Sequence, residues 1–248
     1  MRDPGHLRTE FHDAERPVPA AADVDWYAGA LPRDAGPVLA AMCGSGQLLL
    51  ALAGLGFHAH GVEGDAALFA AAENRLREAG LASSLFRQPL TDLNLPFRYG
   101  AVFVPDASFQ RLADPLAALT ALARIRVHLV PPALLVIDLC IPEAGLHPPG
   151  GPLVEVRAVA LPDGSRITLR SETLVDAPSR RLDVRSRYER RTPGRELERE
   201  DDTAVLTWYE EADIASLLAD AGFTGIGIEA RDAPAGGRAY RAVAHARA

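Results

Sequence analysis

Between Pro37 and Asp65 the chain reads PVLAAMCGSGQLLLALAGLGFHAHGVEGD, and no other stretch restricts the fold as tightly. An apolar run leads into a Gly-x-Gly bend. An apolar helix-forming segment follows, closed by glycine, and then a second apolar run that ends in an acid. This is the pattern of strand, tight turn, helix and strand. Such a turn presents backbone N–H groups and a helix N-terminus to a ligand.

The alternation continues along the chain. DVDWYAGAL (23–31) predicts a short helix with Asp23 as its N-cap. DAALFAAAENRLREAG predicts an amphipathic helix with Asp65 in its first turn and Gly80 past its end. SSLFRQPL reads as a short third strand, YGAVFVPD as a fourth and ALLVIDLCI as a fifth, with a helix over PLAALTALARIRVHL between the last two. Nearly continuous apolar strands separated by helices predict a parallel sheet covered on both faces.

The texture changes near Pro142. LVEVRAVAL, RITLRSETLVD, RLDVRSRYERR and DTAVLTWYE alternate with period two and predict a four-stranded antiparallel meander. The α/β pattern then returns, with a helix over EEADIASLLADAGF and strands at TGIGIEA and AYRAVAHARA. The organisation expected is a loose polar arm over 1–22, an α/β domain made of 23–150 and 203–248, and an antiparallel β insertion over 151–202. The insertion holds eleven arginines against eleven acids, so it is no basic platform.

Composition removes several function classes. Apolar residues make up 48% and charged residues 24%, as in globular proteins, and the formal charge of -7 argues against a general nucleic-acid binder. There is no lysine: all 26 basic residues are arginine, which excludes Schiff-base catalysis and a P-loop. Cys43 and Cys140 sit in apolar contexts and read as buried thiols of a reducing compartment. No run reaches the ~20 apolar residues of a membrane span. The polar start reads as no signal peptide, and the cytoplasm is the expected location.

At the glycine turn, Gly44 and Gly46 remove side chains that block close approach. Glu63, seventeen residues after Gly46, stands where an acid accepts hydrogen bonds from both ribose hydroxyls. Glycine at such turns also serves packing alone. The third glycine of a dinucleotide fingerprint is Leu49, which disfavours NAD and FAD. S-adenosylmethionine has no phosphate and asks less of the loop.

The segments DVDWY, VLAAMCGSGQLLLALAGLGFHAHGVEGD, VFVPDASFQRL, LARIRVHLVPPALLVIDL and TWYEEADIASLLADAGF together resemble class I SAM-dependent methyltransferases. More narrowly, the chain resembles the small-molecule branch with an antiparallel insertion, which includes amino-sugar N-methyltransferases. The resemblance runs from about residue 23 to the C-terminus. It implies a seven-stranded Rossmann-like sheet with its last strand antiparallel, S-adenosyl-L-methionine as cofactor and a small-molecule acceptor methylated at N or O. It further implies cofactor contacts from Tyr27, from Cys43, Gly44, Ser45 and Gly46, and from Glu63, Gly64 and Asp65. Gln88, Pro89, Leu90, Pro105 and Ser108 complete the implied set. Asp106 is the first candidate base and Tyr209 the second. Asp106 also reads as a helix N-cap, and Tyr209 as core. By its position the insertion covers the acceptor, and an apolar face on it would form a homodimer.

The family pattern is broken at named positions. Its acid and first glycine are Ala40 and Met42, Pro89 replaces an aspartate with Asp92 nearby, and Pro131-Pro132-Ala133 replaces Pro-Gly-Gly. A fold retained without methyl transfer is the alternative these changes raise. His58 and His60 share a strand face and read as exposed; nothing adjacent completes a metal site.

Overall fold

Successive residues of β1 (Val38–Ala41) point to opposite faces, and both faces are buried. Leu39 and Ala41 join one core and Val38 and Ala40 another. Two cores on two faces require helices on both, and the computed structural model, which describes residues 4–81, 83–142, 151–231 and 237–247, has them. α2 (Ala21–Ala30), α3 (Gln47–Gly54) and α4 (Ala66–Glu78) cover the Val38 side. α5 (Pro115–His128) and α6 (Glu211–Asp220) cover the Leu39 side.

The other strands of this sheet are β2 (Ala59–Glu63), β3 (Leu85–Arg87), β4 (Tyr99–Val104), β5 (Leu129–Ile141), β10 (Thr224–Arg231) and β11 (Arg238–Ala246). Their spatial order is β10-β11-β5-β4-β1-β2-β3. β1 to β5 pair parallel, and β11 runs antiparallel to both neighbours. The seven-stranded, mostly parallel sheet expected from the sequence is therefore present. β4 and β2 flank β1, so the loops leaving the C-terminal ends of these three strands converge, which is where open α/β sheets bind ligands.

A second sheet, in the order β6-β7-β8-β9, is a simple meander of β6 (Leu153–Ala160), β7 (Arg166–Asp176), β8 (Arg181–Arg191) and β9 (Glu198–Thr207). Its fourth strand passes through residue 202 and ends at Thr207. Its outer face carries Arg187 paired with Asp201, Arg199 with Glu189 and Arg170 with Glu172. The outer face, where an apolar surface would form the homodimer that the resemblance implies, is thus mostly charged, with Val154, Val156 and Leu174 as its exposed apolar residues.

The loose arm is a second correction. Residues 6–15 form α1 (His6–Glu15), whose Leu7 and Phe11 are buried against Ile167, Leu169 and Tyr188 of the inner face of the meander. The polar composition hid this because two apolar residues four apart suffice to seat a short helix. Glu200 on β9 accepts from Gly5 N–H, Leu7 N–H and Arg8 N–H, which satisfies the open N-terminus of α1 from a residue 192 to 195 positions away. Two local expectations also change. The N-cap of α2 is Ala20, and Asp23 lies in its first turn. His60 is buried, its ring 3.1 Å from His58 Nε2 and 3.2 Å from Tyr99 Oη, so it is a core histidine rather than an exposed one.

Phe11→Ala tests the seating of α1. Removing a fully buried phenylalanine should cost about 3–5 kcal/mol in urea denaturation. A loss below about 1 kcal/mol, the scale of a surface change, would mean that α1 is not docked in solution.

Candidate functional site

The turn after β1 is built from left-handed residues. Gly44 has φ +59° and Gly46 φ +78°, and Met42, where the family pattern has glycine, is held at φ +54°. A side chain in this conformation costs roughly 1–2 kcal/mol. The Met42 side chain recovers part of that by packing against the apolar core. The two glycines do different work. A Cβ on Gly44 would meet nothing within 4 Å, so this position opens onto the site. A Cβ on Gly46 would lie 3.0 Å from the Cβ of Ala72, so this glycine lets α3 and α4 approach.

Glu63, at the end of β2, is 8% exposed and ties two turns together. One carboxylate oxygen accepts Gly44 N–H and the other Asp65 N–H, both at 2.9 Å. Burial raises its pKa, and these backbone donors oppose the rise. Asp65 caps α4 by accepting from Ala67 N–H and Leu68 N–H, and it pairs with Arg8 of α1. Burial raises its pKa as well, but the Leu68 N–H and the Arg8 guanidinium outweigh that and bring it below the ordinary aspartate range.

A cavity of about 580 Å³ lies beside the glycine turn, within the size range of small-molecule sites. Met42, Cys43, Gly44 and Ser45 form one wall and Pro105, Asp106, Ala107 and Ser108 another. Tyr27, Asp138, Cys140 and Arg231 line it from α2, β5 and β10, and His12, Asp13 and the C-cap residue Arg16 line it from the end of α1. Asp13 accepts from Ser45 Oγ and Gln47 Nε2 and pairs with Arg75, so α1 is fastened to the glycine turn as well as to the meander.

Asp106 and Ala107 are consecutive left-handed residues (φ +54° and +55°), and such strain clusters at functional sites. Asp106 caps no helix: the short 3-10 turn after it begins at Ser108 with Ala107 at its N-cap, and α5 is capped by Asp114. The Asp106 side chain is exposed and makes no hydrogen bond or ion pair among the described residues. Gln110, buried, donates to Thr207 O and accepts Cys140 N–H, which anchors this loop to β9 and β5. Tyr27 is 0% exposed and borders the cavity, and its hydroxyl faces the Asp138 carboxylate.

The structure gathers Tyr27, Cys43, Gly44, Ser45, Pro105, Asp106 and Ser108 around one space. Gly46, Glu63, Gly64 and Asp65 stand behind that wall as its supports. Gln88 holds the backbone of Asn94, a Cβ on Gly64 would meet the Pro89 backbone at 3.2 Å, and Leu90 is core. Tyr209 is not on the cavity wall: it packs on Phe109, with ring centroids 6.0 Å apart, and burial pushes its pKa up to about 12. Sequence reasoning missed Asp138, Arg231 and the α1 residues. For Asp138 there was a signal, a single charge inside the apolar run ALLVIDLCI. Among the described residues no cluster of three metal-ligating side chains occurs, and no helix is long and apolar enough to cross a membrane.

No family model and no curated protein sequence matches the chain. Solved structures do. The sugar N-methyltransferase KedS8 from Streptoalloteichus is 23% identical with a TM-score of 0.74, covering 94% of this chain and 90% of that one. DesVI from Streptomyces venezuelae is 19% identical with a TM-score of 0.71 and 90% coverage of each chain. CalS10, an amino pentose methyltransferase from Micromonospora echinaspora solved with SAM bound, is 21% identical with a TM-score of 0.66, covering 90% and 89%. At these identities the likeness establishes the fold, insertion included.

Asp65→Asn isolates the charge of the α4 cap, because asparagine caps a helix about as well as aspartate. A carboxylate with a depressed folded pKa contributes stability above its unfolded value of about 3.9 and loses it as pH falls through the folded value. The variant should melt below the wild type at pH 7, and the gap should close in acid below about pH 4. A gap independent of pH would remove the Arg8 pairing from the account.

Proposed function

We propose that this chain is an S-adenosyl-L-methionine-dependent methyltransferase acting at nitrogen or oxygen of a small molecule. The observation that carries the reading is the cavity that opens beside Gly44 and reaches Asp106, joining a side-chain-free bend to an exposed carboxylate. The fold likeness to enzymes described as sugar and amino pentose methyltransferases supports it. The lining fits such a cofactor: Gly44 leaves room for close approach, and Tyr27, Ser45 and Ser108 bring hydroxyl groups to the same cavity.

When bound, the cofactor supplies a methyl group on a sulfonium, ready for in-line displacement. The chain's own residues do the rest. Glu63 holds the Gly44 turn and borders the ribose. Gly64, Asp65 and the Gln88–Leu90 segment frame the adenine. Pro105 and Ser108 shape the acceptor side. Asp106 orients the acceptor and takes its proton, since its exposed carboxylate borders the cavity and caps no helix. α1 and the meander cover the site and exclude water. The finer elements of the reading are a cytoplasmic enzyme without nucleic-acid partners and a homodimer through the meander.

Calorimetric titration with SAM and with S-adenosylhomocysteine should show tight binding of both, and no binding up to millimolar levels would end the reading. Glu63→Ala should weaken SAM at least tenfold, about 1.4 kcal/mol, and unchanged affinity would move the ribose site elsewhere. With an amino-sugar acceptor, Asp106→Asn should lower turnover by about 10²-fold while SAM affinity holds. Full turnover by that variant would remove Asp106 as base.

A further inference from the structure

The loop that carries Asp106 is strained, and one buried side chain aims it. Asp106 and Ala107 stand at φ +54° and +55°, and such residues persist only where their surroundings fix them. Ser108 N–H donates to Pro105 O and Gln110 N–H to Ala107 O, both at 3.0 Å. These bonds set the shape of the turn. They do not set its direction relative to the strands around it.

The Gln110 side chain, 4% exposed, supplies that direction. Its Nε2–H donates to the carbonyl of Thr207, the last residue of β9, and its Oε1 accepts Cys140 N–H of β5, both at 2.7 Å. A flipped amide would set oxygen against oxygen and donor against donor, so its orientation is fixed. Thr207 is itself held, its Oγ1–H donating to Arg180 O at 3.0 Å. One planar group thus locks the turn to β5, which borders the cavity through Asp138 and Cys140, and to the meander. Among the described residues no other hydrogen bond joins this turn to the meander. Packing alone did not call for an amide here. Phe109, Leu139, Ile141 and Trp208, which flank the three bonded residues in sequence, all belong to the apolar core. A buried amide is costly unless both ends are satisfied, and once satisfied it selects a single arrangement.

We propose that Gln110 is a positioning residue of the methyl transfer, holding the Asp106 carboxylate in register with the sheet that covers the acceptor. Gln110 does not line the cavity, so it acts through Asp106. The assignment rests on the reading of Asp106 as base given above.

Gln110→Met keeps the length of the side chain and removes both bonds. In amide hydrogen exchange of the unliganded variant, Ser108 and Cys140 should exchange at least tenfold faster, while Leu169 in β7 keeps its wild-type rate. An equal acceleration everywhere, or none at Ser108, would overturn the assignment, because a residue that only adds global stability raises exchange throughout. With an amino-sugar acceptor, kcat should fall at least tenfold while the Kd for S-adenosylhomocysteine holds. Combined with Asp106→Asn, Gln110→Met should cost nothing further, since both act on one carboxylate. Full turnover by Gln110→Met, or a further tenfold loss in the double variant, would overturn the assignment and leave Asp106 as base. Full turnover by Asp106→Asn would remove the base reading and this assignment with it. Gln110→Glu decides the matter where Gln110→Met fails to fold. Protonated, its carboxyl donates to Thr207 O and accepts Cys140 N–H as the amide does; ionised, it only accepts. Its turnover relative to the wild type should fall as pH rises, and a flat ratio would overturn the assignment.

Discussion

The site depends on one carboxylate. Glu63 reaches from the end of β2 to the backbone N–H groups of Gly44 and Asp65, so two turns from neighbouring strands move as one body. A buried acid is costly unless its oxygens are satisfied, and here backbone donors satisfy both. That bond sets the path of the glycine turn, including the left-handed Met42, and it places Asp65 to cap α4 and receive Arg8. Removing the acid would free two part-buried donors beside the cavity.

α1 extends this linkage to the meander. Arg8 pairs with Asp65 on one side and Asp202 on the other, while Glu200 satisfies the N-terminus of the same helix. Further along, Asp13 holds Ser45 and Glu10 pairs with Arg190. The helix thus bridges the glycine turn and the inserted sheet. Its apolar seat is small, so the ion pairs around it, partly shielded from water, bear on its placement more than exposed pairs would.

Much of the architecture was legible because burial on both faces leaves continuous apolar runs, and those runs are local in sequence. ALLVIDLCI and YGAVFVPD became β5 and β4 for that reason. The glycine turn was legible as well, although the sequence did not separate Gly44, which opens on the cavity, from Gly46, which packs on Ala72. The N-terminal helix was not legible, since its stability comes from Glu200, Tyr188 and Ile167, far along the chain. Tyr209 illustrates the converse. Its type suited chemistry, yet the course of the chain after β9 turned it onto Phe109.

By itself the amino-acid order determined the layers, the strand count, the acid after β2 and the absence of any lysine. Hydrophobic periodicity and turn residues act over a few positions, so they are written locally. Only the tertiary structure decided which polar groups share a space. Asp23, Asp138, Arg231 and Arg241 come from four elements as much as 218 residues apart, and no spacing rule joins them. Their meeting is imposed by strand order, which sets β5 between β4 and β11, and by the low polarity of the interior, which forces each buried charge to find its opposite.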